Sequence, residues 1–518
     1  MNLDATASER DAGATSDATQ GLLAAIDLGS NSFRLEIGQV EQGRYRRVDY
    51  LKETIRLGAG LDASGLLTEE AMQRGLGCLA GFAQRLRGLS PLHVRAVATQ
   101  TLREAKNRDA FLARARTVLG LPIEVISGRE EARLIYAGVA RLQPSDATRL
   151  VVDIGGRSTE MILGQRRTPL RAESFQVGCV SLSMKYFGDG RFTDSAFRAA
   201  QVAAGAELEE AIEPFASRHW QEALGASGTA GSVSQVLAAN NVTDGLITPA
   251  GLRWCIEQCL RAGRIDRLSL AGLKEDRRAV FGGGLAILYT LSANFGIDEL
   301  HPARGALRQG VIYDLQDRVT AMQDAEAGHD LRDDSVIALQ QRFGVDAAQA
   351  LRVQTLALNV YADFQPRVHP DTRAEVAREL AWAAALHELG MMVSHHDHHR
   401  HSAYLLAHVD AAGFSQSQQR RLAALVLGQR GGLRKIEDAL RDEVFAWQVM
   451  SLRLAVLLCH ARSAPAAAAI RARRSGRTAS VSYDAQWAAD HPRSIYLLNE
   501  EKVMWERADG SLRLALPD

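Results

Sequence analysis

LVVDIGGRSTEMILG, residues 150–164, reads as a strand, a tight glycine turn and a second strand. Earlier the chain runs AAIDLGSNSFRLEIG, residues 24–38. Laid in register, Asp27 falls on Asp153, Gly29 on Gly155, Ser32 on Ser158 and Gly38 on Gly164. The copies lie too far apart for a solenoid repeat, so they predict two domains of similar topology side by side. Glycines at a turn tip remove the Cβ atoms that would hold a phosphate away from backbone N–H groups. Ser and Asn add donors, and an aspartate ending the preceding strand can hold Mg²⁺ directly or through water. Asp and Gly in a turn have a plainer use, as turn formers. Two copies in register favour facing turns that grip neighbouring phosphoryl groups with a metal between them.

At 518 residues the chain is too long for one core and calls for about three or four domains. A 46% hydrophobic and 24% charged composition is that of an ordinary globular protein. Formal net charge is zero, so no global field recruits a polyanion, and any anion site must be a local cluster of Arg, Lys and backbone N–H groups. The five cysteines, Cys78, Cys179, Cys255, Cys259 and Cys459, are scattered. Cys255 and Cys259 have helical spacing without a second ligand pair, which reads as buried thiols in a reducing cytoplasm. The first twenty residues are polar and lack a hydrophobic run, which predicts a disordered tail rather than a signal peptide. No apolar run reaches membrane-spanning length.

From residue 22 to about 314, strand-like and helical runs alternate, the pattern of an α/β protein. Residues 331–462 are Ala/Leu-rich and amphipathic, which predicts an all-helical domain. RSAPAAAAIRARRSGR (462–477) reads as a linker or irregular segment, and TASVSYD and SLRLALPD beyond it as a small terminal β-containing unit. The expected divisions are 1–20, 21–135, 136–316, 317–470 and 471–518.

A third glycine turn, GASGTAGSV (225–233), reads as lying between helical segments and offers Gly228 and Thr229 to a phosphate. FGGGLAIL (281–288) equally suits close helix packing. In ISGREEARLIYAGV (126–139), Ser127 is a natural N-cap and Glu130 completes an S-x-x-E box. Glu131 then shares a face with Leu134 and Ile135. A carboxylate on an apolar face is costly unless it serves a metal, a partner or a water. Glu131 is therefore the favoured water-activating residue, against the plain alternative of a solvated glutamate paired with Arg129 or Arg133. Glu160 either supports a metal or water, or is the polar member of a strand alternation.

AAIDLGSNSFRL, TQTLREA, ISGREEARLIYAGV, VVDIGGRSTEMI and GASGT, in this order, resemble the exopolyphosphatase/guanosine pentaphosphate phosphohydrolase (Ppx/GppA) family. That family lies in the superfamily of actin, sugar kinases and heat-shock ATPases. LHELGMMVSHHDHHRHSAYLL (386–406) resembles its long bacterial members, and HRHSAYLL looks closer to the exopolyphosphatase branch. The resemblance implies an α/β protein with two actin-like domains, then a helical HD-like domain and a small C-terminal α+β unit. It implies Glu131 as the catalytic glutamate, with Asp153 and Glu160 completing the catalytic set. Asp153, Glu160 and Asp27 would hold Mg²⁺, and a monovalent cation such as K⁺ is a further candidate. Phosphate contacts carry over to Asp27, Gly29, Ser30, Asn31, Ser32, Arg103, Gly155, Gly156, Ser158 and Thr159. The implied activity is processive release of orthophosphate from inorganic polyphosphate. The alternatives are conversion of guanosine pentaphosphate to tetraphosphate, and a non-catalytic regulator that binds either ligand. No nucleic acid partner is expected. A homodimer is implied, in the cytoplasm or held peripherally at the inner membrane.

The chain departs from the family pattern at several points. Arg157 stands where the family usually has a third glycine. If that position needs φ > 0, Arg157 strains the turn by about 1–2 kcal/mol. Alternatively its guanidinium enters the cleft as a bidentate phosphate ligand. In HPARGALRQG (301–310), Ala303, Arg304 and Gln309 replace Ser, Asp and Glu, which puts a turn contact in question. The helical domain reads His387-Glu388 for an His-Asp pair and Val456 for a final Asp, so HD-type metal catalysis is not expected, leaving substrate grip or dimerisation. SHHDHHRH (394–401) reads as a solvated loop whose histidines contact anions when protonated. Arg56, Arg103, Arg129 and Arg133 are candidate linings of a basic channel.

Overall fold

Both quoted stretches fold as antiparallel hairpins in the computed structural model, which describes residues 21–323, 330–364, 366–463, 469–508 and 512–517. The tail expected at 1–20 lies outside the described residues. The chain divides into two units at His329/Asp330.

In the first unit, β1 (Leu22–Leu28), β2 (Ser32–Glu41), β3 (Arg44–Thr54), β4 (Val94–Ala98) and β5 (Ile123–Val125) form a sheet in the order β3-β2-β1-β4-β5. A second sheet is built from β6 (Thr148–Ile154), β7 (Thr159–Gln165), β8 (Thr168–Phe175), β9 (Glu222–Ala226) and β10 (His301–Pro302). Its order, β8-β7-β6-β9-β10, repeats the first. In each sheet the hairpin strands are antiparallel and the remaining pairs parallel. This is the duplicated α/β architecture expected from the doubled turn. β1 and β6 are buried along almost their whole length, which explains their continuous apolar runs.

The last glycine shared by the two copies has a packing role. The strand register shifts between Ile37 and Gly38 and again between Leu163 and Gly164. A Cβ on Gly38 would stand 2.4 Å from the Tyr45 ring, and one on Gly164 2.1 Å from the Tyr136 ring. Each glycine marks a bulge and seats an aromatic ring.

Two helices, Gly128–Leu142 and Leu307–Gln323, join both sheets in one core with Val97, Val151, Ile162 and Leu224. Their backbones touch: a Cβ on Gly310 would lie 1.7 Å from the Leu134 carbonyl oxygen. Ser127 caps the first of these helices, accepting from the Glu130 N–H at 3.1 Å. The Glu130 carboxylate is bridged by Arg133 at 2.7 Å, within a buried ion cluster that includes Arg95 and Asp314. Gly282–Gly284 fall inside the helix Glu275–Phe295, and a Cβ on Gly283 would lie 2.5 Å from the Cys179 carbonyl oxygen. Close packing accounts for that glycine run.

In the second unit, helices of residues 331–342, 347–364, 370–385, 398–408, 416–428 and 443–458 share one core with a small sheet. That sheet has the order β11 (Ile470–Ser475), β12 (Thr478–Tyr483), β13 (Arg513–Ala515). The stretch expected as a linker at 462–477 therefore contains β11, while its residues 464–468 lie outside the described ones. Ala472 faces the core and Arg474 lies 4.9 Å over the Trp447 ring, which makes strand of a segment whose composition reads as irregular. The His-rich stretch is corrected in part: His395 and His396 are exposed outside the helix, as expected. His398 and His399 begin a helix and are buried, and burial pushes both to about 4, so they are neutral near pH 7. All five cysteines are free and buried. Among the described residues, no helix is long and apolar enough to cross a membrane.

Candidate active site

The two turns meet tip to tip. A Cβ on Gly156 would stand 3.3 Å from the Ser30 Cβ. Between them lies a cavity of about 90 Å³, lined by Asp27, Gly29, Ser30, Asn31 and Ser32 from one turn and by Asp153, Gly155, Gly156 and Ser158 from the other. Gly228 lines it from a third side. That third turn follows a strand, β9, rather than a helical segment, and opens directly into the helix Ser227–Ala239. The helix start brings backbone N–H groups and the positive end of the dipole to the cavity. Ser227 reaches this geometry at φ 72, a left-handed conformation that costs a non-glycine residue about 1–2 kcal/mol. Its hydroxyl donates to the Ile154 carbonyl at 3.0 Å.

Two expected phosphate ligands are turned elsewhere. Thr229 donates its hydroxyl to the Ile154 carbonyl at 2.9 Å, and Thr159 donates to the Val177 carbonyl at 2.6 Å. Both side chains are buried and pin the turns instead of facing a ligand. Arg157 adopts no left-handed backbone angle, so the strain expected there is absent. Its guanidinium does not enter the cavity either: Nη2 and Nε donate to Glu104 at 2.7 and 3.1 Å.

Glu131 sits at the cavity wall, 7% exposed. It is paired with neither Arg129 nor Arg133. Arg129 binds Glu173 and Arg133 binds Glu130 and Asp314. The partner of Glu131 is Arg103, whose Nη1 donates at 2.8 Å. Three of the four proposed channel arginines are committed in this way, and Arg56 is exposed. Burial pushes the Glu131 carboxyl up, and Arg103 pulls it back down. Asp153 is pushed up to about 7 by burial and by the Glu131 charge. Glu160 is driven well above the usual range by burial, then by Glu131 and Asp153, although Ser174 donates to it at 2.8 Å.

This crowd of desolvated carboxylates is short of positive charge. Hard carboxylate oxygens are the donors Mg²⁺ takes, so Asp153, at the cavity wall, is the candidate for a divalent cation, whereas Glu160 does not line the cavity and Asp27 is met by Arg34 and Arg308. Among the described residues, no three His, Cys, Asp or Glu side chains are grouped to hold a metal unaided. Mg²⁺ commonly completes its shell with water and substrate phosphate.

One serine and three arginines of the site are among the residues not singled out in the sequence. Ser227 and Arg277 line the cavity, as do Arg34 and Arg308. Arg34 lies opposite Asp27 in the strand pair, one position that alternation could have exposed. Arg308 contacts Asp27 at 3.5 Å and Glu36 at 3.1 Å. Gln309, one of the departures, donates to Glu36 at 2.6 Å and accepts from the Ala306 N–H at 3.0 Å, so the turn keeps its hydrogen bonds. The Arg304 N–H donates to Gln143 at 2.6 Å. Arg277 carries no sequence signal.

The second unit has its own cavity, about 440 Å³, lined in part by His387, Glu388, Val456 and Arg462. Burial lowers the His387 pKa, and its Nδ1 lies 2.7 Å from the Ala384 carbonyl. Arg462 donates to Glu388 at 2.8 Å, so a guanidinium takes up the charge that a metal would otherwise meet.

A model described as the Ppx/GppA phosphatase family matches residues 37–319, and one described as Ppx/GppA phosphatase, domain III, matches residues 331–502. A guanosine-5'-triphosphate,3'-diphosphate pyrophosphatase of Pseudoalteromonas translucida is 35% identical over 485 residues, which is 93% of this chain and 96% of that protein. Among solved structures, an exopolyphosphatase from Cytophaga hutchinsonii superposes with a TM-score of 0.53 at 25% identity, over 57% of this chain and 98% of its own. An exopolyphosphatase-like protein gives 0.52 at 25% identity, over 58% and 99%.

Proposed function

The chain belongs to the Ppx/GppA phosphatase family, and we propose that within it this protein removes the terminal phosphate of guanosine 5'-triphosphate 3'-diphosphate. The reaction class rests on one observation: a buried carboxylate, Glu131, held by Arg103 beside a cavity that two glycine turns enclose. The nucleotide is favoured by the relative that aligns along nearly the whole chain under that activity.

Phosphoanhydride hydrolysis needs an oriented water and positive charge around the transferring group. The turn N–H groups and the helix start at Ser227 would hold the terminal phosphoryl group, and Arg34, Arg277 and Arg308 would balance its charge. Glu131, paired with Arg103, accepts a proton from water as the water oxygen bonds to phosphorus and the anhydride oxygen leaves. Asp153, with phosphate oxygens and water, would hold Mg²⁺, which would neutralise charge on the phosphates.

Inorganic polyphosphate is the second reading, and the size of the cavity does not separate it from the first. About 90 Å³ admits a phosphoryl group and no nucleoside, so the rest of any substrate is held outside it. The name of the Cytophaga protein points to polyphosphate. A regulator without turnover would need Arg157 to obstruct the second turn, whereas that side chain is drawn off to Glu104.

The test is phosphate release by the purified chain with Mg²⁺ from each substrate separately. Release from the guanosine nucleotide at a kcat/KM well above that for long-chain polyphosphate, abolished in Glu131→Gln, supports the proposal. The reverse preference replaces it with the polyphosphate reading. Binding of either without release sinks both.

A further inference from the structure

We infer that Arg157, the residue in place of a turn glycine, is a positioning residue that ties the two sheets' lobes together and keeps Arg103 committed to Glu131. The inference rests on the reading of Glu131 as the residue that aims the water.

A continuous chain of hydrogen bonds carries the effect. Arg157 leaves the β6–β7 turn and donates Nη2 and Nε to Glu104 Oε2 at 2.7 and 3.1 Å, crossing to the lobe of the first sheet. Its Nη1 leans on the Gly58 carbonyl at 3.5 Å. A Cβ on Gly58 would stand 3.0 Å from Arg157 Cδ, so the glycine leaves room for the side chain to pass. Glu104 Oε1 accepts from Gln100 Nε2 at 2.6 Å. Gln100 Oε1 accepts from Arg103 Nε and Nη2 at 3.0 and 2.5 Å. Arg103 Nη1 then serves Glu131 at 2.8 Å and the Ile126 carbonyl at 3.0 Å.

The amide of Gln100 reads this arrangement in one sense only. Its oxygen must face Arg103 and its NH₂ must face Glu104, because a guanidinium only donates and a carboxylate only accepts. Charge alternates along the path: Arg157 positive, Glu104 negative, Arg103 positive, Glu131 negative. Glu104 is adjacent to Arg103 on the same short helix, Gln100–Glu104. With Arg157 in place, Glu104 has its own cation. Without it, Glu104 becomes an uncompensated anion beside Arg103 and competes with Glu131 for the guanidinium. Loosening that pair would misplace the base.

The test combines Arg157→Gly, Glu104→Gln and the double variant, assayed with whichever substrate the wild type hydrolyses. Arg157→Gly should lower kcat about tenfold with KM within about twofold. Arg157→Lys should recover part of the loss. The double variant should recover most of it, since the neutral amide introduced by Glu104→Gln no longer competes, whereas a merely structural role would make the two changes add. Wild-type kcat in Arg157→Gly, or a double variant no better than Arg157→Gly, overturns the inference. Thermal unfolding of wild type, the two single variants and the double variant without substrate tests the tie separately, and additive melting shifts would refute it. Should Glu131→Gln keep full turnover, the parent reading has failed, and the unfolding cycle alone then decides whether Arg157 links the lobes.

Discussion

The two hairpins share backbone, turn and bulge, and differ in the residue that faces the aspartate across the strand pair. Opposite Asp27 in register stands Arg34, and opposite Asp153 stands Glu160. Arg34 approaches Asp27 at 3.4 Å, and Arg308 adds a second guanidinium at 3.5 Å. Glu160 adds a second carboxylate beside Asp153; burial, Glu131 and Asp153 push Glu160 up, and burial and Glu131 push Asp153 up. Duplication has thus preserved the geometry and divided the charge. One turn is balanced by cations and suits the grip of a phosphate. The other is short of cations and suits a metal. Identical folds need not carry identical chemistry, because one cross-strand position decides the local field.

The largest expected effect lies outside both hairpins. Glu131→Gln should reduce kcat about 10³-fold at saturating substrate, with KM little changed, because general-base assistance is typically worth 10²–10⁴-fold. A residual rate near wild type would remove the carboxylate from the mechanism and leave the hairpins as binding elements only. Next in size, the division of charge predicts that Asp153→Asn raises the Mg²⁺ concentration for half-maximal rate about tenfold or more. Asp27→Asn should act mainly on KM. Equal Mg²⁺ shifts in the two variants would erase the distinction drawn above.

A third expectation follows from the carboxyl of Asp153, raised from its ordinary value to about 7. A raised folded-state pKa means the native state binds the proton more tightly than the unfolded chain. The stabilisation is therefore fully present below about pH 4 and is lost as pH rises towards 7. In the absence of divalent cations, wild type should lose melting temperature relative to Asp153→Asn across that window. Measured in chelator between pH 4 and 8, a difference that stays flat or runs the other way would show that Asp153 is already compensated.

Much of this was legible in the sequence because duplication is visible as repeated letters. The paired Asp and Gly positions, the two-lobed α/β plan and the inward face of Glu131 all follow from spacing. The roles of individual side chains at the turns were harder. Thr159 and Thr229 look like phosphate donors until their hydroxyls are seen to bond main-chain carbonyls. Arg157 looked like either strain or ligand, and its partner Glu104 sits far away in the chain, where no local pattern reports it. Arg308 and Arg277 reach the cavity by long-range packing. β11 was hidden because a short, Arg-rich edge strand alternates too weakly against a linker composition.

The smallest effect probes what the hairpins still share. Gly38→Ala and Gly164→Ala place a methyl group 2.4 and 2.1 Å from the Tyr45 and Tyr136 rings, so each ring must move. Overpacking of this kind costs about 1–3 kcal/mol, and the tighter site, Gly164, should lose more melting temperature. The rings have different neighbours. The Tyr136 hydroxyl donates to the Arg166 carbonyl at 3.2 Å, away from the cavity, whereas the Tyr45 hydroxyl donates to Glu36. Glu36 in turn holds Arg308 and Gln309, and Arg308 touches Asp27. Displacement of Tyr45 therefore has a path to the balanced aspartate that displacement of Tyr136 lacks. Gly38→Ala should raise KM about two- to threefold at unchanged kcat, while Gly164→Ala leaves KM alone despite its greater cost in stability. Were the more destabilised variant also the one with the altered KM, the Tyr45–Glu36–Arg308 path would carry nothing, and the cationic balance at Asp27 would have to come from Arg34 alone.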